Sequence, residues 1–345
     1  MKFKDFANKV LTGMSVGIVV ALIPGAILGE VAKAFDWGAV VNITTIATRL
    51  LTIIMGLTIA MQFNLTPIQS GTLAITAGVA SGAFSFQEGV LVLGGIGDVI
   101  NAGIFAGVAV WLMQSIGNKL KAYTILVVPA LVIVVVGGLG LIALPYVSAI
   151  TKGIGSLVSS FTNFTPIIAG ILISVTFAIM IVSPVSTAGV AMAIGLAGIG
   201  SGAANLGITA AGFGLAVAGY KANGFGTSIA HFLGSPKMQM ANMMKNPKIM
   251  LPIILNAIVS GAAAGILKIQ GTPASAGFGI SGLIGPLNHL NIVGYNASNL
   301  LICAIAFVVI PVVMSFVSSY IFDRKLTIAP YCIMYYLINN LDVVY

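Results

Sequence analysis

Between Lys152 and Lys221 the chain carries no Asp, Glu, Lys or Arg. A run of that length without charge cannot be wetted as the surface of a soluble fold, so it has to sit in lipid or be enclosed by segments that do. The remainder agrees: 6% of the 345 residues are charged and 59% hydrophobic, where a soluble domain carries about 25% charged residues. The expected fold is an all-α polytopic membrane protein, a single membrane domain over residues 1–345.

Crossing the hydrocarbon as a helix takes about 20 apolar residues. Runs at 11–34, 39–62, 71–87, 89–115, 123–145, 166–186, 187–204, 206–220, 249–268 and 297–322 meet or approach that length and predict about ten transmembrane segments. Those at 71–87, 187–204 and 206–220 are short and glycine-rich. Each reads as a tilted span, half of a broken helix or a re-entrant hairpin. With ten crossings and a cytoplasmic N-terminus, Lys2, Lys4, Lys9, Lys119, Lys121, Lys221, Lys237, Lys245, Lys248, Arg324 and Lys325 fall inside. Only Lys33, Lys152 and Lys268 fall outside, which is the bias of the positive-inside rule. Both termini are therefore expected in the cytoplasm, and two spans can still be exchanged for a re-entrant pair. Lysines scattered between apolar runs also account for the net charge of +8 without nucleic acid as a partner. The start "MKFKDFANKVLTGM" has the charge pattern of a secretory leader, but no small-x-small cleavage site follows, so it is expected to lead into the first span.

Two stretches of mixed polarity, 148–163 and 231–248, are expected along the membrane surface. The second is rich in Met and Lys and suits contact with lipid or a partner, or equally a loop between helices. A weak two-fold repeat relates halves at about 10–145 and 165–322, leaving a tail at 323–345. "VVPALVIVVVGGLGLI" (127–142) resembles "MLPIILNAIVSGAAAGIL" (250–267), and "TPIQSGTLAITAGVASGAF" (66–84) resembles "TPASAGFGISGLIGPL" (272–287). Backbone at membrane depth leaves the helical ladder only where protein or a water-filled cavity satisfies it. Paired Gly/Pro-interrupted segments therefore point to a substrate site. "IQGTPASAGFG" (269–279) is expected to be a re-entrant tip or broken helix lining a polar cavity, with Gln270, Thr272 and Ser275 as substrate-binding candidates.

Ionisable groups inside a membrane are costly and mark candidate sites. Asp98 lies in the Gly-rich run "LGGIGDVINAG", with Asn101 one turn on. Two readings of Asp98 stand: a carboxylate that binds substrate hydroxyls or carries a proton, and an acid at a helix start stabilised by free N–H groups. Glu88 is a site residue or a solvated loop acid. Arg49, inside a span, needs a partner such as Asp98 or Glu88, or snorkels to the interface. Asn205, expected to join two short segments, and Asn256, within a helix, are candidates for capping or for substrate. "IVSPVSTAG" (181–189) is expected to break a helix. His289 follows the second broken segment and lines either the site or an interface. His289 and His231 lack metal-ligand spacing, so no metal is expected. Cys303 and Cys332 form no redox pair, and Cys303 reads as a small core residue. There is no P-loop, no dinucleotide fingerprint and no Ser/His/Asp set, so no cofactor and no enzyme activity of the chain alone are expected.

"GGIGDVIN" (94–101), "IVSPVSTAGVAMAIGLAGIGSGAANLGI" (181–208), "FLGSPKMQMANMMKNPKIMLP" (232–252) and "IQGTPASAGFG" (269–279) together resemble the membrane IIC-like family of the bacterial phosphotransferase system, the branch that includes the perfringolysin regulator membrane protein. The resemblance implies a multi-pass protein of the bacterial plasma membrane, a permease component that binds and translocates a sugar. It also implies a homodimer with re-entrant hairpins around the substrate, and separate IIB and IIA partners that phosphorylate it. The expected activity is alternating-access transport of a polar small molecule, with the carbohydrate at Asp98, Asn101, Asn205, Asn256, Gln270, Thr272, Ser275, Glu88 and His289. Two other readings are a IIC-like membrane sensor or regulator without transport, and an ion-coupled carrier in which Asp98 holds the ion.

Overall fold

A computed structural model describes residues 2–117, 119 and 123–322. The tail at 323–345, with Arg324, Lys325 and Cys332, lies outside the described residues, as does Lys121. The chain divides into two compact units, Met1–Thr151 and Lys152–Tyr345.

The first unit begins with the long helix α1 (Phe3–Ala34), then α2 (Gly38–Arg49) and α3 (Leu51–Gln62). Gly13 and Gly17 sit one turn apart on α1 and leave no room for a side chain against Ile59 and Met55 of α3. This small-xxx-small contact brings two backbones together where lipid offers no hydrophobic drive, and Thr58 Oγ1 donates across it to Gly13 O (2.7 Å). The run expected as one span at 39–62 is bent by 54° between α2 and α3. Helix α4 (Pro67–Ala80) starts with a capping box: Thr66 Oγ1 accepts from Gln69 N, and Gln69 accepts in return from Thr66 N.

Past α4 the structure departs from the predicted spans at 71–87 and 89–115. The chain forms a hairpin, β1 (Phe84–Gln87) and β2 (Val90–Leu93), paired antiparallel with Gln87 opposite Val90. Helix α5 (Val99–Ile116) begins only after it. The cause is local: Glu88 (φ 49°) and Gly89 (φ 81°) both take positive φ, the two-residue turn that matches strand twist, between aromatic and β-branched residues. Then α6 (Thr124–Leu131), a π-helical turn (Val132–Val136) and α7 (Gly137–Phe161) run on as one apolar helix. The stretch 148–163, expected along the membrane surface, is mostly its last turns.

In the second unit α8 (Pro166–Ile181) packs on α12 (Met250–Ile266) through Gly170, Gly261 and Gly265, again with backbone against backbone. Ser174 Oγ donates to Ala257 O at 2.7 Å across that contact. Between them come α9 (Thr187–Ala193), α10 (Gly198–Leu233) and α11 (Met240–Lys245). The break expected in "IVSPVSTAG" is present between α8 and α9. The two spans expected at 187–204 and 206–220 are instead the short α9 and one uninterrupted run of α10. The chain breaks at Gly195 and Gly198, both with positive φ, and α10 bends later, at Gly224 (φ 70°). The segment 231–248, expected at the membrane surface, is largely buried from Ser235 to Met243. After α12 comes an irregular run, then α13 (Ile284–Val293), α14 (Ala297–Ala304), a second π-helical turn (Ile305–Val309) and α15 (Ile310–Tyr320). Pro311 brings no N–H to the ladder there.

Among the described residues six helices are long and apolar enough to cross a membrane, and the bent pair α2–α3 makes up to seven; α8 is a shorter apolar helix. The difference from the ten predicted runs lies at the hairpin and at α9. The two Thr-Pro runs thought to repeat differ in conformation, since 67–80 is a capped helix and 273–280 is a series of turns.

Candidate functional site

Residues 269–279 follow α12 and are held by protein rather than by a helical ladder. Gly271 forms a two-way bridge with Gly198 at the start of α10, with N···O distances of 2.9 and 3.0 Å. Thr272 N donates to Asn288 Oδ1 (2.9 Å) and Ser275 Oγ (3.1 Å), and Ser201 Oγ donates to Thr272 O (2.8 Å). Asn205, inside α10 rather than at a joint, accepts from Gly279 N (3.0 Å) and reaches Ser275 Oγ (3.4 Å). Thr187 Oγ1 donates to Gly277 O (2.9 Å). A side chain at Gly277 would run into the Ala188 backbone, and one at Gly271 into Ser201. Surrounding protein thus satisfies much of the irregular backbone here.

Some polar atoms of this cluster are spent on the scaffold and others are not. Asn205 and Ser275 are buried and engaged as above. Gln270 N donates to His289 Nδ1 (3.1 Å), so in the neutral ring the proton sits on Nε2. His289 Nε2, Asn288 Nδ2, the Gln270 side-chain amide and the Thr272 hydroxyl have no partner among the described residues. Asn288, which the sequence reading missed, is found only through its bond to Thr272. Its signal was its position beside His289. The free groups are neutral, and most are donors.

Asn256 is elsewhere in the second unit. It is fully buried and donates to Pro311 O (2.9 Å) and Ser315 Oγ (2.9 Å), while its Oδ1 accepts from Ser260. A cleft of about 740 Å³ lies in the bend of α10. Its walls include Phe213, Tyr220, Phe225, Phe232 and Phe316, and it contains none of the expected site residues.

In the first unit Asp98 is the N-cap of α5: Oδ1 accepts from Asn101 N (2.9 Å), and Oδ2 accepts from Ser148 Oγ (3.0 Å). The helix-start reading describes its geometry. Asn101 is fully buried, donates to Ala80 O (2.6 Å) and Gly140 O (2.9 Å), and among the described residues leaves Oδ1 without a partner. Glu88 is exposed at the tip of the hairpin. Arg49 donates to Leu93 O (3.1 Å), not to Asp98 or Glu88. The hairpin turns a backbone carbonyl toward it that a continuous helix would have kept.

The second unit also holds a buried amine. Lys237, 5% exposed, precedes α11 and donates to Ser183 O (2.8 Å) and Val185 O (2.7 Å). Burial alone lowers its pKa from 10.5 to about 7.

No curated protein and no solved structure matches the chain. A family model described as "Phosphotransferase system, EIIC" matches residues 8–334, nearly the whole sequence. With its apolar helices and protein-held loop, the chain belongs to the phosphotransferase-system EIIC family, as a membrane permease component.

Proposed function

We propose that this protein binds and translocates a neutral polar small molecule, a carbohydrate or similar polyol, by alternating access, with the substrate seated against residues 269–279. One observation carries the reading: an irregular, protein-held loop in a membrane chain, with unspent neutral hydrogen-bonding groups on its Gln270 and Thr272 and on Asn288 and His289 of α13 beside it. A polyol needs donors and acceptors without net charge, and these groups offer both. Ser275 and Asn205 then shape the loop rather than touch substrate, and Asn256 acts within the helix packing. Asp98 and Asn101 enter as supports of the α5 start. Family membership supports a separate IIB subunit for phosphorylation, a homodimer surrounded by lipid, and the bacterial plasma membrane with both termini cytoplasmic.

The test is equilibrium binding to the purified protein. Thermal-shift and calorimetric titration with neutral sugars and polyols should find a ligand, and sugar acids and amino acids should bind less well. His289→Ala and Asn288→Ala should each weaken the ligand found by about tenfold, the cost of one lost hydrogen bond. Binding unaffected by both would move the site off this loop. A protein that binds a sugar but carries none across proteoliposomes with its IIB partner present would be the sensor instead.

A further inference from the structure

Lys237 is a buried polar feature of the second unit that the proposed transport does not use. Taking an amine out of water is costly, and among the described residues its partners are the backbone carbonyls of Ser183 and Val185. An alkyl side chain of the same length would fill the space without that cost. What the nitrogen adds is the pair of hydrogen bonds.

Those carbonyls belong to the break between α8 and α9. Helix α8 stops at Ile181, Pro184 supplies no N–H, and α9 restarts at Thr187 behind the Ser186 cap. Ser183 and Val185 lie between the two helices, so neither helical ladder supplies a donor to their carbonyls. Lys237 supplies one to each from a chain segment more than 50 residues away. Just beyond the break, Thr187 donates to Gly277 O, and the Ala188 backbone lies so close to Gly277 that no side chain fits between them. One short piece of chain is thus gripped by Lys237 and bears directly on the loop at 269–279.

We propose that Lys237 is a positioning residue: by pinning the α8–α9 break, its side-chain nitrogen fixes the conformation of the loop at 269–279. Either protonation state serves, since a neutral amine still has two N–H donors for the two carbonyls. The segment 235–245 thereby acts on the loop through the α8–α9 break. His231, kept neutral by burial with its pKa lowered to about 4, accepts from Gln239 at 2.7 Å, and Asn242 in turn donates to Gln239 (2.8 Å). These bonds anchor the segment that presents Lys237. The inference rests on the proposed function only in calling the loop a substrate site.

The experiment is hydrogen exchange by mass spectrometry on the full-length purified protein without ligand, comparing wild type with Lys237→Met, which keeps the stem and loses the donors. Peptides covering 270–279 should exchange at least about tenfold faster in the variant, as expected when two buried carbonyls lose their donors, while 250–266 stays at the wild-type rate. Lys237→Ala should show the same acceleration, and n-propylammonium, which replaces the missing part of the side chain, should reverse it. If Lys237→Met does not fold, Lys237→Ala purified with n-propylammonium and then freed of it gives the same comparison. Wild-type exchange at 270–279 in both variants overturns the proposal. Equal acceleration at 270–279 and 250–266 also overturns it, because Lys237 would then support the whole unit and not the loop. None of these readings depends on which ligand the protein binds.

Discussion

At the scale of single residues, Lys237 and Asp98 show how the same cost is met in two ways. Lys237 has a depressed pKa in the folded protein, about 7 against 10.5. Between those values the unfolded chain holds more protons than the folded one, so stability should rise as pH climbs from about 7 toward 10.5 and be flat below 7. Thermal unfolding in detergent across that window should show the rise in wild type, and Lys237→Met should remove this residue's share of it. Asp98 instead meets its charge with the Asn101 N–H at the start of α5 and with the Ser148 hydroxyl. Asp98→Asn keeps an acceptor for the cap, so it should leave stability and transport near wild type. Asp98→Ala should lose about 1 kcal/mol, the usual worth of an N-cap. If both variants keep their fold but lose uptake, the carboxylate carries a proton or ion and the capping role is secondary.

At the scale of elements, legibility followed period and length. The long runs at 124, 250 and 297 were readable because nothing interrupts their apolar pattern, and all three are helices in the structure. The hairpin was not, because "FSFQEGVLVL" is as apolar as a span. Only the Glu88–Gly89 pair, both residues at positive φ, reveals the turn. Around the loop the sequence marked Gln270, Thr272, Ser275, Asn205 and His289, which the fold does bring together through hydrogen bonds. It could not show which of their atoms are spent, since that depends on partners up to 74 residues away. Nor did it show that Ser275 and Ala276 are buried while Ala274 is exposed, so a thiol scan of the loop should label Ala274→Cys and leave Ala276→Cys silent. Glycines test the same point. Gly277→Ala puts a methyl against the Ala188 backbone, which cannot rotate away, and should cost about 1–3 kcal/mol and weaken substrate binding. Gly138→Ala, in α7 with nothing within 4 Å of the new methyl, should be neutral or stabilising by up to about 1 kcal/mol. Chemical denaturation of the two variants separates close approach from mere glycine content.

At the scale of the whole molecule, the hairpin changes the count of crossings. Helix α4 has 14 residues, about 21 Å at 1.5 Å per residue, against a hydrocarbon core of about 30 Å, and it carries Gln69, Ser70, Thr72 and Thr76. If α4 turns back at the hairpin, the crossings are the six long helices, the bent pair α2–α3 and the short apolar α8, which is eight and still even. The two ends of the described chain, residues 2 and 322, then fall on one side, as ten crossings would also leave them. The two counts part between α4 and α9, where dropping one span reverses the side of everything as far as the next dropped one. Lys119 and Lys152 flank or lie on the helix Thr124–Phe161, and that helix crosses in both schemes, so Lys119→Cys and Lys152→Cys should label from opposite faces either way. With eight crossings, Lys119→Cys labels from the face opposite the N-terminus and Lys152→Cys from the N-terminal face; with ten, the assignments exchange. The positive-inside bias survives the exchange, because Lys221, Lys237, Lys245 and Lys248 keep their side. We expect the eight-crossing pattern, measured with a membrane-impermeant maleimide on sealed vesicles of both orientations. Labelling of Lys119→Cys from the N-terminal face would mean that α4 crosses after all, and labelling of both positions from one face would remove Thr124–Phe161 from the list of spans.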